Sequence, residues 1–156
     1  MKNILLAFFL CFGSTVLHGQ MPGSQSVMSG LKPRQPNWRL DIVQLYPHGT
    51  PQTVVFYEPQ LDGTERLVKQ VLFFENGQIQ TEADVILVAV DSPIAKEWNS
   101  NIVPHGVRVD FTQNGALLRT SHYHEGKMVG ECTFFYPSGK INAVTHYEKG
   151  LLEGPV

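Results

Sequence analysis

The sequence has 156 residues and a formal net charge of −2, so charge gives no basis for attraction to nucleic acid. Hydrophobic residues make up 42% of the chain and charged residues only 17%, a composition that supports a packed core and excludes a disordered, highly charged protein. The 14 glycines and 10 prolines favour a turn-rich fold over a helical bundle. We therefore expect one folded domain built from many short elements.

Residues 1–19 have the pattern of a secretory signal peptide. Lys2 precedes an apolar run from Ile4 to Phe12, and a short segment leads from there to Gly19. The run is shorter than the roughly 20 residues that a membrane-spanning helix needs. We predict cleavage near Gly19 and export to the periplasm, the cell envelope or the medium. Cleavage removes one basic residue and changes the net charge from −2 to −3, which gives membrane association no electrostatic support.

Residues 20–36 are rich in Ser, Gly, Pro and Gln and have no hydrophobic periodicity, which predicts a flexible tether before a domain at 37–156. After cleavage only one cysteine, Cys132, remains, so no disulfide can form within the exported chain. Cys132 lies in an apolar run and has no neighbour in sequence that would lower the pKa of its thiol. We expect it to be a small buried residue and not a nucleophile.

The domain is predicted to be all-β, because short β-rich runs alternate with glycine turns. Asp62-Gly63, Asn76-Gly77 and Asn114-Gly115 supply the positive φ angles that hairpins need, so neighbouring strands should be antiparallel. The predicted strands are Leu40–Tyr46, Gln52–Glu58, Leu67–Phe74, Val85–Val90, Val107–Phe111, Leu117–Tyr123, Cys132–Tyr136 and Ile141–Tyr147.

The interval from Asp91 to His105 interrupts this rhythm and predicts one short inserted helix or loop. Ser92 and Pro93 are suited to begin a helix that continues to Trp98, and Asn99 follows as a stop.

The C-terminal half contains an internal repeat. Residues 107–130 align with residues 131–154 at a period of 24 without a gap, and six positions are identical. These positions hold aromatic residues, histidine or turn glycines: Phe111 and Phe135, Gly115 and Gly139, His122 and His146, Tyr123 and Tyr147, Gly126 and Gly150, Gly130 and Gly154. Gly49 and Gly77 anchor two stretched copies nearer the N-terminus. One hairpin cannot bury its aromatic face alone, so we predict stacked hairpins, with an edge at Ile141–Tyr147 that either further units or a partner strand would cover.

The last unit resembles a known family. Phe135–Lys140 and His146–Gly154 are similar to the variant MORN repeat found in many exported bacterial proteins. This resemblance implies an antiparallel β-meander of stacked hairpins and brings no catalytic residues. Some relatives carry a toxin–antitoxin antitoxin label, and others are regarded as membrane or protein adaptors.

Three histidines are the candidate binding residues. Alternation along a strand places His122 and His124 on one face, and His146 should lie one repeat away on that face. Three imidazoles could bind zinc or copper, but no Cys or Asp completes a ligand spacing, and surface positions explain the histidines as well. We therefore predict no metal and no cofactor.

No catalytic motif is present: the acidic residues are scattered through turns, and the sequence has no nucleophile elbow, phosphate loop or dinucleotide fingerprint. These features predict an exported, non-enzymatic repeat protein that binds or scaffolds another protein, and not nucleic acid, in the envelope or outside the cell. The alternative is an antitoxin or immunity-type partner that neutralises a toxin.

Overall fold

The computed structural model describes residues 30–153, and in this part of the chain an antiparallel β-sheet accounts for nearly all regular structure. The predicted signal peptide, the first part of the predicted tether and Gly154 of the second repeat lie outside the described residues. The elements are β1 (Arg39–Leu45), β2 (Pro51–Pro59), β3 (Glu65–Phe73), β4 (Ile79–Leu87), α1 (Pro93–Trp98), β5 (Ile102–Phe111), β6 (Leu117–His124), β7 (Lys127–Met128), β8 (Gly130–Phe135), β9 (Ile141–Glu148) and β10 (Leu151–Leu152).

The strands form one meander in which each pairs antiparallel with its neighbours. The order is β1-β2-β3-β4-β5-β6-β8-β9-β10, and the short strand β7 pairs with the end of β6 just before β8 takes over. The all-β meander with one short helix is therefore confirmed. No helix within residues 30–153 is long and apolar enough to cross a membrane.

The boundaries of two predicted strands were wrong. β4 begins at Ile79 and not at Val85, and β5 begins at Ile102 and not at Val107. The first part of β4 carries charged side chains that are paired in the structure, and β5 contains Pro104, so both segments lacked an obvious strand signal. The insertion between β4 and β5 covers residues 88–101 and not Asp91 to His105, because β4 ends at Leu87 and not at Val90 and β5 begins at Ile102.

Helix α1 forms where the sequence predicted it. The Ser92 side chain accepts a hydrogen bond from the Ala95 N–H at 3.2 Å, and Pro93 occupies the first turn. Asn99 ends the helix in the left-handed conformation, with φ 49°.

The 24-residue repeat is visible in the backbone hydrogen bonds. The Val129 N–H donates to the His122 carbonyl at 2.9 Å, and 24 residues later the Glu153 N–H donates to the His146 carbonyl at 2.9 Å. The Gly126 N–H donates across to the preceding strand at Pro104, as the Gly150 N–H does at Met128. Each unit therefore repeats both its own hairpin and its attachment to the unit before it.

The first turn of each unit has one construction. At Gly115 the N–H donates to the Thr112 carbonyl, and at Gly139 it donates to the Tyr136 carbonyl. Both glycines have positive φ, 82° and 81°, which a side chain resists. The residues four before and two after the glycine are paired across the strands in all four copies: Leu45 with Pro51, Phe73 with Ile79, Phe111 with Leu117, and Phe135 with Ile141.

Two clusters of buried apolar side chains lie in the N-terminal half of the sheet, one on each face. Val54 and Val55 are consecutive on β2, so they point to opposite faces, and both are fully buried. Val54 packs with Phe56 and Val71, whereas Val55 packs with a cluster of buried side chains from β3 and β4: Leu67, Ala83 and Val85. We call these two sides the Val54 face and the Val55 face.

Residues 30–36, at the end of the predicted tether, lie against the Val54 face. The Lys32 N–H donates to Oδ2 of Asp84 at 3.2 Å, and the Arg34 guanidinium binds Glu82 through two hydrogen bonds and lies over the Phe56 ring. Beneath this segment, the fully buried Lys69 ammonium contacts both carboxylates. The two positive charges of this cluster therefore balance its two negative charges.

Candidate functional site

The C-terminal edge of the sheet is open in the described structure. β9 pairs along one side with β8, but on its other side only Tyr147 and Glu148 pair with the short strand β10. Among residues 30–153, nothing pairs with the outer side of β9 between Ile141 and Thr145. This segment is an extended backbone whose outward-facing N–H and C=O groups can pair with another strand.

Apolar side chains accompany this open edge. Val144 on β9 is 44% exposed, and Ile141 at its start is 59% exposed. Further large exposed side chains lie on the neighbouring turn and on β10: Tyr136, Leu151 and Leu152. Exposed apolar groups gathered at one end of a sheet are typical of an interaction surface.

The opposite edge differs. β1 carries Arg39, whose guanidinium forms ion pairs with Asp41 on the same strand and with Glu65 on β3. Its pairing with β2 is also irregular, with register shifts on both sides of Gln44. Charged side chains and bulges discourage the addition of a further strand, whereas residues 141–145 of β9 have no charged side chain.

A charged cluster on the Val55 face ties the first repeat together. Asp110 on β5 binds the guanidinium groups of both Arg108 and Arg119, and it accepts a hydrogen bond from the Thr81 hydroxyl at 2.8 Å. Burial raises the pKa of Asp110, but the hydrogen bonds and charges of the two arginines outweigh this effect, so the pKa lies below its ordinary value. Arg119 also lies over the ring of Phe134 on β8, with 6.0 Å between guanidinium and centroid.

The three predicted histidines do not converge. The ring nitrogen Nδ1 of His122 lies 3.2 Å from the Glu131 carbonyl oxygen, and His146 pairs with Glu131 from the other side, so β8 separates these two histidines. His124 instead lies beside His105, with 5.0 Å between ring centroids. In the part of the chain that the structure describes, no group of three or more His, Cys, Asp or Glu residues could hold a metal ion.

The repeat glycine Gly126 is one of the residues on which α1 packs. The Trp98 indole N–H donates to the Gly126 carbonyl at 3.0 Å, and the Trp98 ring packs edge-on against the buried Tyr123 ring. A Cβ atom at Gly126 would lie 2.6 Å from Cγ1 of Ile94, whereas at the equivalent Gly150 the nearest atom, on Lys127, would be 3.4 Å away. Gly126 therefore allows the close approach of α1, whereas the equivalent Gly150 has no such contact with the helix.

Cys132 is buried, as predicted. It lies on β8 with no exposed surface, and burial raises the pKa of its thiol. A thiol whose ionisation is disfavoured in this way is a poor nucleophile.

A cleft beside α1 brings together Ser92, His124, Glu125, Lys127 and Lys149 with several apolar side chains. The Ser92 hydroxyl already caps the helix, and Lys127 forms an ion pair with Glu97 at 2.7 Å. The serine and the histidine make no hydrogen bond with each other in the described structure, so the cleft has no pairing of nucleophile and base.

Sequence reasoning missed two features of these surfaces. The pattern around Lys69 and its acidic partners is that of strands with alternating polar residues, which does not indicate a buried ion pair. Nothing in the sequence near Arg34 indicates that its side chain reaches Glu82, which is 48 residues away. The Arg108–Asp110 pair did carry a signal, because residues two apart on a strand share a face and can form an ion pair.

Residues 128–149 match the family model of the MORN repeat variant. The match covers β8, β9 and the turn between them, and it confirms the resemblance that Phe135–Lys140 indicated. The chain therefore carries a MORN repeat, a module that generally interacts with proteins or membranes. Comparisons with curated proteins and with solved structures found no match.

Proposed function

We propose that this protein is exported and acts, without catalysis, as a binding or scaffolding surface for another protein in the cell envelope or outside the cell. The open outer side of β9, with Ile141 and Val144 exposed beside it, is the observation that carries the proposal. The MORN repeat at 128–149 supports it, because that module interacts with proteins or membranes.

A protein partner is favoured over a membrane by charge and by shape. The chain has 12 basic and 14 acidic residues, so the acidic surface of a bilayer would not attract it. The exposed apolar groups accompany a strand edge, which pairs with a peptide backbone and has no equivalent partner in lipid.

Two observations support a non-catalytic role. The hydroxyl of Ser92 and the ammonium of Lys127 in the cleft beside α1 are engaged in a helix cap and an ion pair. The buried Asp110 is enclosed by Arg108 and Arg119, an arrangement that keeps the carboxylate charged and unsuited to accept a proton near neutral pH.

The test is capture of the partner from the protein's own cells. A tag inserted after Met21 leaves the C-terminal edge unaltered, and the exported protein is recovered after mild cross-linking. We expect one envelope or extracellular protein in near-stoichiometric amount by quantitative mass spectrometry. An equally tagged, unrelated exported protein is the control. Recovery of no protein above this control, together with binding to lipid vesicles, would contradict the proposal.

The antitoxin or immunity alternative makes a different prediction in the same experiment. The captured protein would be toxic when produced alone, and co-production of this chain would restore growth. A captured protein that is harmless by itself favours the scaffolding role.

A further inference from the structure

We propose that the partner adds one extended strand, antiparallel to β9, to the open edge at Ile141–Thr145. This inference rests on the proposed function and names the form in which the partner binds. It follows from the geometry of the preceding repeat, in which β8 pairs with the outer side of β6, the strand equivalent to β9.

The repeat fixes the register of the added strand. β8 pairs with β6 so that Phe134 lies opposite Arg119 and Thr133 opposite Thr120. At a period of 24 residues, the positions equivalent to Arg119 and Thr120 are Ala143 and Val144 on β9. An added strand in the same register would place one residue opposite Ala143 and its neighbour opposite Val144.

The backbone of β9 is ready for this pairing. The His146 carbonyl accepts a hydrogen bond from the Glu153 N–H, so the backbone of His146 faces away from β8. Backbone groups of every second residue on a strand point the same way, so the N–H and C=O groups of Val144 also face outward. These two groups would form the central hydrogen bonds with the partner.

The side chains on β9 define the chemistry of the partner. Arg119 covers the Phe134 ring from the β6 side, but on the β9 side the partner of Phe134 is the small Ala143, which is exposed. Two strand spacings are about 9.6 Å, so only a large side chain lying over Ala143 could reach Phe134 from the edge. We expect an aromatic or large aliphatic residue opposite Ala143.

The neighbouring residue of the partner should be β-branched or small. It would lie beside Val144, whose cross-strand partner on β8 is Thr133. Since residues 141–145 carry no charge, a charged partner residue would find no counter-ion there. The occupant is therefore an uncharged, extended segment of another protein with alternating large and small side chains.

The probe for this inference is a synthetic peptide copied from residues 130–136, with glutamine in place of Glu131 and serine in place of Cys132, so that it carries no charged side chain. We expect it to bind the full-length exported protein and to slow hydrogen exchange at the Val144 amide. Val144→Lys should weaken binding about tenfold, because an edge lysine opposes strand addition. Val43→Lys, at an exposed position on the opposite edge, is the matched control and should bind as the parent does.

Val144→Pro, which removes the outward N–H, is the second variant if the lysine variant fails to fold. A peptide with aspartate at the position copied from Phe134 should also bind about tenfold more weakly, because its carboxylate would lose water over Ala143.

Equal binding by the Val144 and Val43 variants would overturn the inference, as would self-association through β9 in light scattering. A partner captured equally by the parent and by Val144→Lys would overturn this inference and leave the proposed function intact.

Discussion

The Nζ atom of Lys69 lies 3.0 Å from Oδ1 of Asp84 in the interior of the Val54 face. Lys69 has no exposed side-chain surface and Asp84 only 5%, and the segment that contains Lys32 and Arg34 closes over them. A charge buried in this way is tolerated only while its partner is present.

Removal of either Lys69 or Asp84 alone should therefore destabilise the folded protein. We expect Asp84→Asn or Lys69→Met alone to lower the free energy of unfolding by about 3 kcal/mol or more. The double variant should lose less than the sum of the two, because no unpaired charge remains at that contact. Denaturant unfolding of all four proteins measures the coupling. Strict additivity would show that the two groups do not act as a pair.

Gly126 and Gly150 should respond differently to the same substitution. Both have positive φ, 79° and 87°, so alanine should cost about 1 kcal/mol at either position. At Gly126 the new Cβ also meets Ile94, which should add about 1–3 kcal/mol. Thermal unfolding compares the two variants directly.

The matched rescue for this comparison is Ile94→Ala combined with Gly126→Ala. Removing the Ile94 side chain beyond Cβ should recover much of the added loss. A Gly126→Ala variant as stable as Gly150→Ala would mean that α1 does not pack on the first repeat as described.

The protein should become less stable as the pH is lowered, and part of this loss should come from Asp110. The pKa of Asp110 is lowered in the folded protein, so its contribution is complete above its ordinary value of 3.8 and is lost as the pH falls through the folded value. We expect the Tm of the parent to drop more steeply below about pH 4 than that of Asp110→Asn. Asp91→Asn, at an exposed loop position, is the control for the loss of one carboxylate and should follow the parent.

Export predicts a defined N-terminus. Mass spectrometry of the native protein should find a chain that begins near Gln20 or Met21 and lacks the apolar run that follows Lys2. Recovery of the intact chain from the cytoplasm alone would contradict the compartment on which the proposed function depends.

The sequence predicted local structure best where the backbone conformation favours one residue type. Gly115 and Gly139 adopt the positive φ that their turns require, and the helix signals at Ser92 and Asn99 were also correct. β4 was misplaced because the half-buried Glu82 and the buried Asp84 were interpreted as solvent-exposed residues. Contacts such as Arg34 with Glu82 depend on the tertiary path of the chain, which local pattern does not encode. The histidines failed to converge because β8 lies between His122 and His146.

The central claim is that a partner protein binds this chain at the outer side of β9. Site-specific photo-cross-linking in intact cells tests it most directly, with a photoreactive amino acid at position 144 in one strain and at position 43 in another. Both side chains are exposed, at 44% and 59%, on opposite edges of the sheet. We predict a discrete adduct with one other protein from position 144 and none from position 43. An adduct from position 43 alone, or equal adducts from both, would contradict the account.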